Sequence, residues 1–150
     1  MTTMTRRYRF SASHRLHSPE LGDDENERLY GKCNNPYGHG HNYVLEVTVA
    51  GEIDEATGLI CPVGKLDSLV EEAVLSRFSW RNLNEDIAQF SRMVPTTENL
   101  ARVTAELLQR AWGECWQESG VKLHRIHIQE TDRNGFEVLM PHFLRPPTHA

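Results

Sequence analysis

No stretch of the 150 residues is an apolar run long enough to span a bilayer. Arg6, Arg7 and Arg9 stand near the start with no apolar segment behind them, so neither a membrane span nor an export signal is expected. A surplus of positive charge is also missing: 16 Lys and Arg face 21 Asp and Glu, a formal net charge of -5. That balance excludes a chain whose main task is to coat nucleic acid or an anionic membrane, because phosphate binding runs on clustered cations. Cysteine is scarce and odd in number. Cys33, Cys61 and Cys115 show no CxxC spacing, which suits a reducing cytoplasm better than a disulfide framework, and Cys61 and Cys115 read as core thiols. Internal repeats and low-complexity segments are absent. The length suits one domain over residues 1–150, with residues 1–5 and 144–150 as peripheral tails.

What is present is mainly pattern. Tyr8, Phe10, Ala12, His14 and Leu16 alternate with Arg9, Ser11, Ser13 and Arg15, the period of a half-buried strand, and this puts His14 on the apolar face. His41, Tyr43, Leu45, Val47 and Val49 repeat the pattern and pair naturally with the first strand. Residues 20–27 are acidic and turn-like, and Asn34 to Gly40 forms a second irregular stretch. Leu66, Leu69, Val70, Ala73 and Val74 predict a helix over about 64–78. A second helix follows Pro95 with Thr96 as N-cap, its stripe running from Leu100 to Cys115. Two further strands, over 121–131 and 136–143, are joined by a hairpin containing Asn134-Gly135. The expected fold is therefore α+β, ββααββ, a four-stranded antiparallel sheet with two helices on one face. Its two open edges invite continuation of the sheet across subunits.

The chemistry concentrates between Cys33 and Tyr43. His39 and His41 are separated by one residue, so in extended backbone they project from one face roughly 6.6 Å apart. Three imidazoles hold zinc with one tetrahedral position left for water or substrate, and His14 on the paired strand is the natural third ligand. Gly38 and Gly40 let the backbone bend around His39. The plainer reading of a histidine on an apolar face is a hydrogen-bonded core residue. Cys33 reads either as a fourth, closing ligand or as a free thiol activated by a nearby cation. Glu130, closing a strand, is either a solvated end-of-strand charge or a paired acceptor for two N–H donors of a guanidine-type heterocycle.

Taken together, Phe10-Ser11-Ala12-Ser13-His14-Arg15-Leu16, Gly31-Lys32-Cys33-Asn34-Asn35-Pro36, Gly38-His39-Gly40-His41-Asn42-Tyr43, Gly51-Glu52-Ile53-Asp54, Thr57-Gly58, Thr97-Glu98-Asn99 and Glu130-Thr131 resemble the 6-pyruvoyl tetrahydropterin synthase family. The resemblance spans about residues 7–143, and the five residues between Cys33 and His39 look like its biopterin-type branch. It implies a tunnelling fold, in which the sheets of three subunits join into a barrel and two trimers stack as a hexamer. It also implies zinc held by His14, His39 and His41, Cys33 as the proton-abstracting group, Glu130 as the pterin anchor, and Thr96 and Thr97 lining the pterin pocket. The implied reaction is that of a cytoplasmic lyase converting 7,8-dihydroneopterin triphosphate to 6-pyruvoyl tetrahydropterin with release of triphosphate. Arg15, Arg28 and Lys32 are available cations but read as ordinary surface charges.

One departure stands out. Where the family carries Leu-Asp-His ahead of an Asn-Leu pair, this chain has Phe78-Ser79-Trp80-Arg81-Asn82-Leu83. Ser79 replaces a carboxylate, and Trp80 donates a hydrogen bond but accepts no proton. Loss of that assisting pair leaves two alternatives open: a related enzyme forming a carboxylated pterin or cleaving the side chain, and a catalytically impaired pterin-binding paralogue.

Overall fold

The computed structural model describes residues 1–116 and 119–140. Its sheet has five strands in the order β3-β1-β2-β4-β5, formed by β1 (Thr2–His14), β2 (His39–Gly51), β3 (Arg81–Asn82), β4 (Lys122–Gln129) and β5 (Gly135–Leu139). The long pairs are antiparallel, as expected. The fifth strand is an addition: β3 lies parallel to β1 through Ala12–Arg81 and Ser13–Asn82, and two polar residues carry no periodicity that could announce a strand. The first strand also begins earlier than expected. Residues 2–5, read as a tail, pair with residues 48–51. The proposed tail 144–150, and the end of the last strand at 141–143, lie outside the described residues.

Alternation places one face of β1 and β2 in the core. Phe10, Ala12 and His14 are buried on β1, and Tyr43, Leu45, Val47 and Val49 on β2. Helices cover this face. The first is nearly continuous, α2 (Val63–Val70) passing through a π-helical stretch at Glu71–Leu75 into α3 (Ser76–Phe78), which matches the predicted span. After the short α4 (Leu83–Asp86), α5 (Thr97–Cys115) buries Leu100, Val103, Leu107, Leu108 and Trp112. Cys115 departs from its expected place in this stripe. It is exposed as the last helical residue, and Trp116 takes the buried position instead, while Cys61 is buried as read.

A third substantial helix, α1 (Asp23–Tyr30), occupies the segment read as an acidic turn. It has almost no apolar face to betray it. Its first turn carries Asp23, Asp24 and Glu25 against the positive end of the helix dipole. Asn26 is fully buried, its Nδ2 donating to the carbonyls of Ser18, Leu21 and Gly22 and its Oδ1 accepting from the Ser18 N–H. Polar hydrogen bonding thus does what an apolar stripe does elsewhere, and it fixes the approach to the 3-10 turn Gly31–Asn34 that carries Cys33.

Candidate functional site

The β1–β2 register builds the site row by row. His14 pairs with His39, Ala12 with His41, and Phe10 with Tyr43, so three histidines and a tyrosine share one face at one end of the sheet. Ala12 is the small member of its row, opposite His41. Gly38 makes the entry to β2 possible: its φ is +72°, and a Cβ there would lie 2.9 Å from the His14 carbonyl oxygen. At Gly40 a Cβ would make only an ordinary 3.6 Å contact, so the second glycine expected to matter is not sterically required.

The candidate ligand nitrogens of His14, His39 and His41 all lie within 4.8 Å of one another, and the ring centroids are 4.6 to 5.1 Å apart. Zn–N bonds of ~2.0–2.1 Å at tetrahedral angles place ligand nitrogens roughly 3.3 Å apart. His14 Nε2 and His39 Nε2 are at 3.0 Å. His14 is 1% exposed, and its Nδ1 donates to the Pro95 carbonyl at 2.8 Å, which assigns the tautomer and turns the Nε2 lone pair toward the other two rings. His41 Nε2 is buried without a hydrogen-bond partner. Burial holds His14 down to about 4 and lowers His41 as well, so both rings are neutral at neutral pH, the form a metal takes. An orphaned ring nitrogen, a tautomer fixed by an outer carbonyl, and three converging imidazoles fit a metal ion such as zinc.

Glu130 follows β4 directly and faces the same cluster. Its Oε1 is 3.3 Å from His41 Nε2 and 3.7 Å from His14 Nε2, and its side chain is only 12% exposed. The His41 contact lacks hydrogen-bond geometry, and with neutral rings neither contact is a full ion pair. Glu130 is therefore no solvated end-of-strand charge. Its backbone is held in the β4–β5 turn, the N–H donating to the Asn134 carbonyl at 3.0 Å.

Cys33 is half-buried and stands outside the close set of three ring nitrogens. The carbonyl of Cys33 accepts from the Leu16 N–H at 2.9 Å, Asn34 Nδ2 donates to the Leu16 carbonyl, and Arg15 Nε donates to the Asn34 carbonyl. These bonds clip the thiol-bearing turn to the chain just beyond His14, and they give Arg15 a structural task. Burial first, then the Glu130 carboxylate, pushes the Cys33 thiol up from its ordinary value. The protein's own groups thus act against a thiolate, opposite to the activation expected from a neighbouring cation.

Thr96 and Thr97 divide into two roles. Thr96 Oγ1 accepts from the Asn99 N–H as the N-cap of α5, whereas Thr97 is buried with its hydroxyl unpartnered. Ser79 and Trp80 lead into β3 beside Ser11 and Asn42, in a cleft of about 360 Å³. Trp80 is 86% exposed with φ at +62°, its N–H bound to the Ser11 carbonyl. Sequence reasoning missed the Pro95 carbonyl and the orphaned Tyr43 hydroxyl, since nothing local marks either one.

A family model for 6-pyruvoyl tetrahydropterin synthase matches residues 3–140. The chain is 46% identical over 131 residues to the Homo sapiens 6-pyruvoyl tetrahydrobiopterin synthase, covering 87% of this chain and 86% of that one. A dihydroneopterin monophosphate aldolase from Pyrococcus furiosus is 33% identical over 100 residues, 67% of this chain and 76% of its own. The solved 6-pyruvoyl tetrahydropterin synthase of Caenorhabditis elegans superposes with a TM-score of 0.83 at 39% identity, covering 93% of this chain and 95% of that one. With the sheet register, the three imidazoles and the family match in agreement over most of its length, the chain belongs to the 6-pyruvoyl tetrahydropterin synthase family.

Proposed function

We propose that this protein is a zinc-dependent lyase that converts 7,8-dihydroneopterin triphosphate to 6-pyruvoyl tetrahydropterin and releases triphosphate. The observation that carries the reading is the convergence of His14, His39 and His41 beside Glu130 and the clipped Cys33 turn. The three imidazoles hold the metal. When bound, zinc supplies Lewis-acid polarisation of the side-chain oxygens and stabilises negative charge developing beside them. Glu130 accepts two N–H donors of the pterin ring, Thr97 lines the ring pocket, and Thr96 holds the start of α5 that presents it. Cys33 Sγ takes the proton from the substrate side chain, and the triphosphate carries away its bonding electrons without a separate oxidant. The three cysteines are free, and no described helix is long and apolar enough to cross a membrane, which supports a cytoplasmic setting.

Assembly into trimers, and of trimers into a hexamer, belongs to the same proposal. Along β1 only Ala12 and Ser13 pair with β3, so residues 2–11 have no strand on that side among the described residues, and β5 forms the other edge. Edges of this length favour pairing with another copy.

Ser79 and Trp80 favour a second reading, in which the site cleaves the pterin side chain, forms a carboxylated pterin, or binds pterin without turnover. Exposed Trp80 offers Cys33 no acid–base help, and such help contributes ~10²- to 10⁴-fold in rate. Incubating the zinc-loaded protein with 7,8-dihydroneopterin triphosphate and identifying products by mass separates these readings. A 6-pyruvoyl product with free triphosphate is expected. Glycolaldehyde-type fragments point to cleavage, and bound but unconverted substrate to the impaired paralogue.

A further inference from the structure

Glu130 stands one residue past β4, in a turn that hangs from the edge of the sheet, because β5 is the last strand in the order. The turn is closed by its own bonds: the Glu130 N–H donates to the Asn134 carbonyl, and Thr131 Oγ1 accepts from the N–H groups of Arg133 and Asn134. A brace from the rest of the sheet comes through His127. Ile126 and Ile128 are fully buried, so alternation turns His127 to the face that the helices leave open, away from the histidine cluster that Glu130 faces. On that open face the register lines up Arg7, Glu46, His127 and Glu137 in one row across four strands. Arg7 Nε donates to Glu46 Oε2 at 2.8 Å. Arg125 Nη1 donates to Glu137 Oε1 at 2.7 Å, while its Nη2 lies 3.6 Å from Glu46 Oε1. His127 Nδ1 lies 3.5 Å from the same Glu46 oxygen.

The far side of the ring rests on Gly135, the first residue of β5. A Cβ there would fall 2.5 Å from His127 Nε2 and 2.8 Å from its Cε1. Gly135 does not have a positive φ, so its backbone does not call for glycine; the imidazole does. We propose that His127 is a positioning residue for Glu130: braced by Glu46, its imidazole lies across Gly135 and sets the turn from which the carboxylate reaches the metal cluster. This rests on the reading of Glu130 as the ring anchor. Two parallel N–H···O bonds to a carboxylate tolerate little rotation, and a misplacement of about 1 Å can cost ~10²-fold in an ordered site. A turn held only by its own bonds gains most from such a wedge. His127 acts through Gly135 and the Gln129–Gly135 pair, the last rung before the turn, and not on a ligand.

The test combines His127→Ala, Gly135→Ala and the double variant in the zinc-loaded full chain, with 7,8-dihydroneopterin as the binding probe. Each single variant is expected to lower the affinity roughly five- to tenfold, the scale of a charge-assisted bond pulled out of line. Zinc per chain should hold, because the three imidazoles come from β1 and β2. KM for the triphosphate substrate should rise by more than kcat falls, a split that a purely structural histidine does not produce. In the double variant the two losses should not multiply: with the imidazole gone the added methyl has room, and the affinity matches that of His127→Ala alone. Wild-type affinity in either zinc-replete single variant overturns the proposal, and so do losses that multiply in the double variant. A His127→Ala that loses zinc along with the probe marks a merely structural role and overturns it too. Glu130→Gln that binds the probe as tightly as wild type overturns the underlying anchor reading instead.

Discussion

His14 depends on a partner 81 residues away. The Pro95 carbonyl selects its tautomer, and the pairing of β1 with β2 delivers His39 and His41 to its Nε2 side. Replacing His14 or His39 by Ala is expected to strip zinc to a small fraction of one ion per chain, read by elemental analysis after dialysis. Retention of full occupancy by both variants contradicts the ligand assignment. Cys33→Ala separates the two roles left open by the residue type: a proton-abstracting thiol predicts full zinc and a loss of activity of ~10²-fold or more, a closing ligand predicts loss of metal. The thiol also has a pH signature. Glu130 is negative and raises the Cys33 pKa, so Glu130→Gln lowers it, more thiolate is present at a given pH, and alkylation of Cys33 followed by peptide mass spectrometry should accelerate near pH 8. Slower alkylation in that variant reverses the sign and refutes the coupling. The grouping of the three histidines was legible because strand alternation and short spacing mark them, whereas Cys33 and Glu130 stood open between two readings on residue type and drew their roles from the family resemblance. Pro95 was not, since a backbone carbonyl carries no residue-type signal and its partner is remote in sequence.

Among elements, α1 and the entry to α5 are set by polar bonds more than by apolar stripes. Asn26 satisfies three carbonyls and one N–H from within a fully buried position, so Asn26→Ala should cost about 2–4 kcal/mol in urea unfolding, and a loss under ~0.5 kcal/mol contradicts its role as the organiser of α1. This is also why the helix escaped a reading based on hydrophobic period. The same limit hid β3, whose two residues owe their place to Ser11 and β1. The other four strands and the two long helical spans were readable from period, and Thr96 as the N-cap from its place after Pro95. At the turn into β2, Gly38→Ala meets both a positive φ and the His14 carbonyl, and a cost of ~1–3 kcal/mol with weakened zinc retention is expected from thermal unfolding and metal analysis.

For the whole molecule, one sheet with helices on a single face leaves edges at β1 and β5 that the fold does not cover among the described residues. The proposed assembly gives a solution mass of three or six times the 17.2 kDa chain by light scattering, and a monomer at micromolar concentration contradicts it. The central claim is the reaction itself, and single-turnover analysis of zinc-loaded protein with 7,8-dihydroneopterin triphosphate tests it most directly. One triphosphate should appear for each 6-pyruvoyl tetrahydropterin formed, with both products lost in zinc-replete Cys33→Ala. Substrate that survives in the wild-type protein, or side-chain fragments in place of the pyruvoyl product, contradicts the assignment.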